Sequence, residues 1–286
     1  MRKRNNVIVI TEEDLKDYKR YLLDEEHSRA TVEKYLRDVN AFARFLGEER
    51  VVDREKVRGY KQVLQEHYKI SSANSMLAAV NNFLTFLGLS EWKVKLFKMQ
   101  RVQYSRPETE MTEKDYEKLI LAARRNGDRK MSMLMQTIGS TGVRISELKY
   151  ITVESLERGR AEIYNKGKSR VVLLPVELSR MLKKYCRSEG IISGCIFVTR
   201  RGNPMDRSNV SKKMKALGRD AGVDTAKVFP HNFRHLFARI FYSIEKDVVR
   251  LMDLLGHSNI STTRIYTMTT EEQPRRQMSR MKLVLG

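Results

Sequence analysis

The chain has 286 residues, with 55 Lys and Arg against 35 Asp and Glu, a formal balance of +20. That length suffices for one large domain or two ordinary ones, each burying its own core, and the absence of a long apolar run excludes a transmembrane helix. An excess of this size repels itself within a compact fold and is usually retained for a polyanion. Nucleic acid fits best, because neutralising phosphates releases condensed counterions, although a basic protein without such a partner has the same composition. A membrane surface fits less well, since the cations are spread out rather than flanking an apolar segment.

The start, Met1-Arg2-Lys3-Arg4-Asn5-Asn6, is basic but no signal-peptide core follows it, so a cytoplasmic protein is expected. From residue 11 to about residue 87 the pattern is helical. Thr11-Glu12-Glu13-Asp14 reads as a capped start, with a hydroxyl at the N-cap and an acid three residues on. Val32, Tyr35, Leu36, Val39, Phe42 and Leu46 fall at spacings of three and four and make one face of a second helix that ends at Gly47. A third helix is expected from Asp53 towards Tyr68, and a fourth carries Leu77, Val80, Phe83, Leu84 and Leu87 before Gly88. Four short helices with brief connections make a small bundle. Its polar faces hold Arg29, Lys34, Arg37, Arg44, Arg58 and Lys61, which is a solvated surface or a surface for an anionic partner. Between Lys93 and Glu110 periodicity is lost, cations crowd around aromatic residues, and Pro107 precedes a new capped start at Thr112. The expected organisation is a helical domain over 1–98, a linker over 99–110 and a second domain over 111–286.

The second domain opens with a helix through Leu119, Ile120 and Ala123, then a Met-rich helix whose Met131 and Met135 read as irregular core filling. Thr141-Gly142 makes a turn, and Arg144 is expected in the first turn of the next helix. There it either pairs with Glu147 at the surface or offers a planar fork of donors to phosphate oxygens, a geometry lysine cannot replace. Ala161-Glu162-Ile163-Tyr164 and Arg170-Val171-Val172-Leu173-Leu174 flank Asn165-Lys166-Gly167-Lys168-Ser169, a β-hairpin with a basic glycine turn. A helix with Met181, Leu182 and Tyr185 follows, then an expected strand at Cys195-Ile196-Phe197-Val198 and a basic turn with Arg200 and Arg201. Cys186 and Cys195 form neither a ligand cluster nor a disulfide framework and read as apolar positions. After a helix over 210–217, one starting near Pro230 places His231, Arg234 and His235 on one side and Phe233, Phe237, Ile240 and Phe241 on the other. Its polar side is either simply wet or a phosphate-contacting pair of residue types. Val248, Leu251, Met252 and Leu255 then lie at core spacing, with Gly256 where a C-terminal cap belongs and His257 just beyond it. The fold class is thus mainly α with a small β-sheet, an N-terminal helical bundle followed by an α+β domain.

Three segments stand in a telling order: Thr141-Gly142-Val143-Arg144-Ile145-Ser146-Glu147-Leu148, Pro230-His231-Asn232-Phe233-Arg234-His235, and Leu254-Leu255-Gly256-His257-Ser258-Asn259-Ile260-Ser261-Thr262-Thr263-Arg264-Ile265-Tyr266. In residue type, spacing and order they resemble the carboxyl-terminal motifs of the tyrosine recombinases, the family of phage integrases and Xer-type resolvases, over roughly residues 107–266. The resemblance implies an enzyme that breaks and rejoins DNA with Tyr266 as nucleophile. Arg144 and Arg234 would bind the non-bridging oxygens, His257 would add a hydrogen bond, and His231 would accept or orient the tyrosine proton. A hairpin lysine would protonate the leaving 5′-oxygen; Lys166 matches the family lysine and Lys168 is the reserve. The chemistry needs such residues: a phenol with a pKa of about 10 must be activated, and the transition state gathers negative charge that fixed donors must meet. The bond energy is kept in a 3′-phosphotyrosine, so no nucleotide cofactor is expected, and with cations supplying the electrostatics no metal is expected either.

The family also carries a four- or five-helix amino-terminal domain that clamps DNA, and Ser28-Arg29-Ala30-Thr31-Val32-Glu33-Lys34-Tyr35 resembles the start of its second helix. DNA contacts are therefore expected from Arg29, Lys34, Arg37 and Arg44 in the first domain and from Lys168, Arg200 and Arg201 in the second. The implied partners are double-stranded recombination sites and a homotetramer on paired sites, in which the tail after Tyr266 packs on a neighbouring protomer. Two other readings compete: a type IB topoisomerase-like enzyme relaxing DNA as a monomer, and a non-catalytic DNA-binding protein that kept the fold. The helical clamp and the His257-to-Tyr266 spacing favour the recombinase over the first, and the complete six-residue set favours it over the second. The layout is closer to Xer-type enzymes than to larger integrases with an added arm-binding domain.

Overall fold

The computed structural model describes residues 8–98, 109–165, 167–199, 201–257, 259–263 and 266, and the side chains of residues 165, 168 and 261 are outside that description. The chain divides into two compact units, residues 1–101 and 102–286.

In the first unit the elements are β1 (Ile8–Val9), α1 (Glu12–Asp24), α2 (Arg29–Phe45), β2 (Val51–Val52), α3 (Arg54–His67) and α4 (Ile70–Phe86). Thr11 closes a full capping box with Asp14, and Ser28 and Asp53 cap α2 and α3, so three of four helix starts are set by side-chain oxygens on otherwise orphan amides. Tyr18, Leu22, Phe42, Leu64, Leu77, Phe83 and Leu84 fill one core, with α2 lying against α4. The antiparallel pairing of β1 with β2 was not expected from the sequence; each is only two residues long, too short to show alternation. A second difference concerns residues 93–98, where periodicity is lost. Asn81 both donates to Val94 O and accepts from Val94 N, and Asn74 does the same for Phe97, at 2.8–3.0 Å. Two side-chain amides a double helical turn apart thus pin an irregular segment along α4.

The second unit runs α5 (Glu113–Arg125), α6 (Arg129–Thr141), a 3₁₀ helix (Ile145–Tyr150), α7 (Val153–Arg158), β3 (Arg160–Asn165), β4 (Lys168–Leu173), α8 (Val176–Ser188), α9 (Arg207–Asp220), α10 (Pro230–Glu245), α11 (Val248–Leu255) and α12 (Ile260–Thr263). β3 and β4 form the expected antiparallel hairpin, Ile163 opposite Arg170 and Asn165 opposite Lys168 around a two-residue turn. α6 packs along α10 at the centre, and Met131 and Met135 are core residues as their spacing suggested. Arg144 does not lie in a helical turn. It precedes the 3₁₀ helix in extended backbone, because the Glu147 carboxylate turns back to accept its N–H at 2.8 Å. Cys195-Ile196-Phe197-Val198 is not a strand but a run between turns, joined to its surroundings by single bridges of Cys195 to Thr152 and Val198 to Pro204. Both cysteines are free, Cys186 fully buried. Among the described residues no helix is long and apolar enough to cross a membrane.

Gly142 ends α6 at φ +64, and a Cβ there would meet Phe237 Cδ1 at 2.5 Å. Gly142→Ala should therefore combine left-handed strain with over-packing and cost roughly 2–4 kcal/mol, measurable as a lowered urea midpoint. An unchanged midpoint would mean that α10 shifts freely away from α6.

Candidate active site

α11 stops because Gly256 takes the left-handed conformation (φ +62), with Gly256 N–H donating to Asp253 O and His257 N–H to Met252 O. This double closure caps the carbonyls of residues 252 and 253 and leaves those of 254 and 255 without helical partners. Arginines take them. Arg170 Nη1 donates to Leu254 O, Arg234 Nη2 to Leu255 O at 2.7 Å, and Arg144 Nη2 to the next carbonyl, Gly256 O, at 3.3 Å.

Arg234, in the first turns of α10, is only 1% exposed and does not occupy a wet helix face. Its other terminal nitrogen donates to Gly142 O, so the guanidinium joins the ends of α6 and α11, where helix dipoles place partial negative charge. No carboxylate pairs with it among the described residues, and burial followed by Arg144 lowers its pKa to about 10. Arg144 is one-third exposed and donates Nη1 to Glu147 Oε1 at 2.8 Å. Glu147 is 2% exposed and also accepts from Arg170 at 2.6 Å. Burial pushes its carboxyl up, but the Arg144 N–H and the two guanidiniums outweigh that and hold it below the usual range. The pairing with Glu147 that spacing suggested is thus present, but buried rather than at the surface. Two arginines share this one carboxylate and the third, Arg234, has none among the described residues, an excess of cationic charge suited to an anionic ligand.

His257 Nε2 lies 2.9 Å from Arg234 Nη2 and its Nδ1 2.8 Å from Thr263 Oγ1. A guanidinium only donates, so Nε2 accepts and the ring is neutral with its proton on Nδ1. Tyr266 is 4% exposed and packs with Ala238, Leu251 and Leu255, bordered by Phe237 and Phe241. Its ring stacks on His257 with centroids 6.1 Å apart and meets His235 edge-on at 4.8 Å; His235 in turn meets His231 at 4.5 Å. Burial raises the Tyr266 pKa, while Arg234, including a hydrogen bond from it, and Arg144 pull it back in part. Burial and three nearby arginines, Arg234, Arg144 and Arg207, lower that of His231, whose ring reaches the surface.

Four of the six residues selected from sequence, Arg144, Arg234, His257 and Tyr266, are thus brought together, with His231 adjoining through His235. Lys166 lies outside the described residues, as do Arg200 and the tail after Tyr266. The side chain of Lys168 is not described either, but its backbone ends the hairpin beside Gly167. Arg201 is exposed in a turn. On α2, Arg37 and Arg44 are exposed and line a shallow concavity with Asn40, Gly47 and Arg50, and Arg29 pairs with Glu33 at 3.0 Å. Lys34 is engaged internally, donating to Asp38 at 2.6 Å and to Ser75 O of α4 at 3.1 Å. Arg170, His235 and Thr263 were not selected from sequence. For Arg170 a signal existed: strand alternation puts it on the same face as buried Val172 and opposite buried Ile163, so a cation there needs an internal partner.

A buried tyrosine set among histidines, beside arginines that outnumber their carboxylates, on a mainly helical unit, defines a tyrosine-type DNA strand transferase. Residues 109–273 match the phage integrase family and residues 15–90 its N-terminal SAM-like domain, and the chain belongs to this family of tyrosine site-specific recombinases. It is 26% identical to tyrosine recombinase XerA of Pyrococcus horikoshii over 283 residues, 96% of each chain. It is also 26% identical to tyrosine recombinase XerC of Halalkalibacterium halodurans, over 88% of this chain and 91% of that one. Among solved structures, that of XerH recombinase bound to its difH substrate before cleavage superposes with a TM-score of 0.70 at 17% identity, over 96% of this chain and 85% of that one.

His257 and His235 are both pushed down to about 4 from 6.5, chiefly by burial and then by Arg234 for His257 and by His231 and Arg239 for His235. Between these values the unfolded chain binds protons that the folded chain refuses, so stability is present above pH 6.5 and falls as pH drops towards 4. Calorimetry across that window should show a falling melting temperature, with a shallower slope in His235→Phe. An unchanged slope would remove His235 from the buried neutral set.

Proposed function

We propose that this recombinase cuts and rejoins DNA at paired double-stranded sites by direct attack of Tyr266 on a phosphodiester. The observation that carries the reading is the position of Tyr266, against His257 and within reach of Arg234, in a site where cations outnumber anions. The phenolic oxygen bonds to phosphorus, the bond to the 5′-oxygen breaks, and a 3′-phosphotyrosine and a free 5′-hydroxyl result. The reverse attack by a 5′-hydroxyl of another strand rejoins the DNA with no external energy source. Arg144, partly exposed, and Arg234 beneath it meet the charge that develops on the non-bridging oxygens. His257, neutral and held by Thr263, contributes a further polar contact. Since burial keeps Tyr266 protonated, attack requires an acceptor, and His231 serves as that base or orients the phenol. Lys166 at the hairpin turn protonates the departing 5′-oxygen, with Lys168 the alternative.

Arg29, Arg37 and Arg44 in the first unit and Arg200 and Arg201 in the second contact the DNA backbone. The protein acts in the cytoplasm as a homotetramer on two duplexes, a reading supported by the lambda integrase tetramer bound to a Holliday junction. In the homotetramer proposed for this chain the segment beyond Tyr266 packs on the neighbouring protomer and closes the ring.

Tyr266→Phe should bind its site normally and form no covalent adduct in a denaturing-gel assay; a persistent adduct would remove Tyr266 as nucleophile. Arg144→Ala or Arg234→Ala should slow cleavage by about 10²-fold or more at saturating DNA, as loss of one transition-state donor does. Cleavage at the normal rate in either variant would leave that arginine a structural role only. A 5′-bridging phosphorothiolate, whose leaving group needs no proton, should restore cleavage selectively to Lys166→Ala. Restoration of Lys168→Ala instead would transfer the acid role to Lys168.

A further inference from the structure

Of the three arginines gathered at the end of α11, two have roles in the reading above and one does not. The Arg170 side chain is 12% exposed, and both terminal nitrogens are engaged inside the protein, Nη1 with Leu254 O and Nη2 with Glu147 Oε2 at 2.6 Å. The Glu147 carboxylate so held is the one that fixes Arg144, through its N–H and its Nη1. The stem of Arg170 lies directly on Gly256: a Cβ at that position would fall 2.2 Å from Arg170 Cδ. Arg170 itself belongs to β4, two residues from the hairpin turn strand position Lys168. One side chain therefore touches the hairpin, the anchor of Arg144, and the helix end from which His257 emerges.

We infer that Arg170 is a positioning residue for strand transfer, a clamp that holds strand β4 in fixed relation to Arg144 and His257. This rests on the roles proposed above for those residues. The fork matters as well as the charge. Leu254 O and Glu147 lie on different elements, and a guanidinium presents separate nitrogens to both, whereas an ammonium on a shorter stem is a point charge. On the opposite strand β3 the Tyr150 hydroxyl donates to Tyr164 O, a second side-chain tie of the hairpin among the described residues. Among the described residues Arg170 supplies the side-chain hydrogen bond from β4 to the α11 end, and without it Glu147 Oε2 keeps the Arg144 N–H but loses its guanidinium partner.

The test is Arg170→Lys in the full chain, which keeps a cation opposite Glu147 but not the fork. Covalent adduct formation is measured in a single turnover at saturating DNA, together with the dissociation constant and the melting curve. The variant should fold and bind within about threefold of the parent but form adduct at least about tenfold more slowly, since a small misplacement of reacting groups is costly in rate. On the 5′-bridging phosphorothiolate, Lys166→Ala should recover fully and Arg170→Lys only in part, because Arg144 is displaced as well. A parental rate in Arg170→Lys overturns the inference, since charge alone would then suffice. Full recovery on the phosphorothiolate also overturns it, by confining Arg170 to the hairpin. Should Arg170→Lys fail to fold, Arg170→Met/Glu147→Gln is compared with Glu147→Gln alone, neither leaving an unpaired buried carboxylate. A further loss of about tenfold in the double variant supports the clamp, and equal rates overturn it. Tyr266→Phe runs in parallel: an adduct there would defeat the nucleophile assignment, while an Arg170 variant at the parental rate beside an inert Tyr266→Phe defeats only the clamp.

Discussion

A helix that ends against other elements must do something with its last carbonyls, and in this protein that requirement organises the site. The left-handed Gly256 closes two of them on the backbone itself, and Leu254 and Leu255 are left to side chains. Their oxygens, with that of Gly256, receive Arg170, Arg234 and Arg144 in sequence order of the acceptors. A buried guanidinium without a carboxylate is ordinarily expensive. Arg234 is tolerated because two helix C-termini, those of α6 and α11, supply its acceptors and the favourable end of their dipoles.

This arrangement reconciles two demands that oppose each other. A site for a phosphodiester needs cations that its own carboxylates do not neutralise, yet a folded core rejects unpaired charge. Neutral main-chain acceptors engage terminal nitrogens of the guanidiniums without cancelling their charge, and Glu147 balances only part of it. The same excess shapes the neighbouring groups: it adds to burial in keeping His257 neutral and pulls the Tyr266 hydroxyl back towards ionisation against the effect of burial.

Much of this was legible in the sequence, for identifiable reasons. Caps at Thr11 and Thr112, the turn at Gly142 and the glycine stop at Gly256 mark boundaries through local chemistry, and the helices follow them. Arg144, Arg234, His257 and Tyr266 were legible as an ordered set, though nothing local distinguished a buried Arg234 from a wet one. What stayed hidden depends on contacts between distant segments. The bonds of Asn74 and Asn81 to residues 94 and 97 make order where periodicity is lost, and Arg170 reads as an ordinary basic residue until its strand face is matched to α11. His235 shared a face with its selected neighbours, but its place between His231 and Tyr266 follows only from the position of Tyr266 against α10.

Because the arginines are read by main-chain oxygens, the frame of the site is carried by helix geometry and not by side-chain identity at residues 254 and 255. Those two positions are free to drift among apolar types during divergence, provided the helix ends where it does. An inserted residue within α11 is another matter: it would swing the terminal carbonyls by about 100° around the helix axis and present each arginine with the wrong oxygen. Length, more than composition, is the quantity that selection must guard in this short helix.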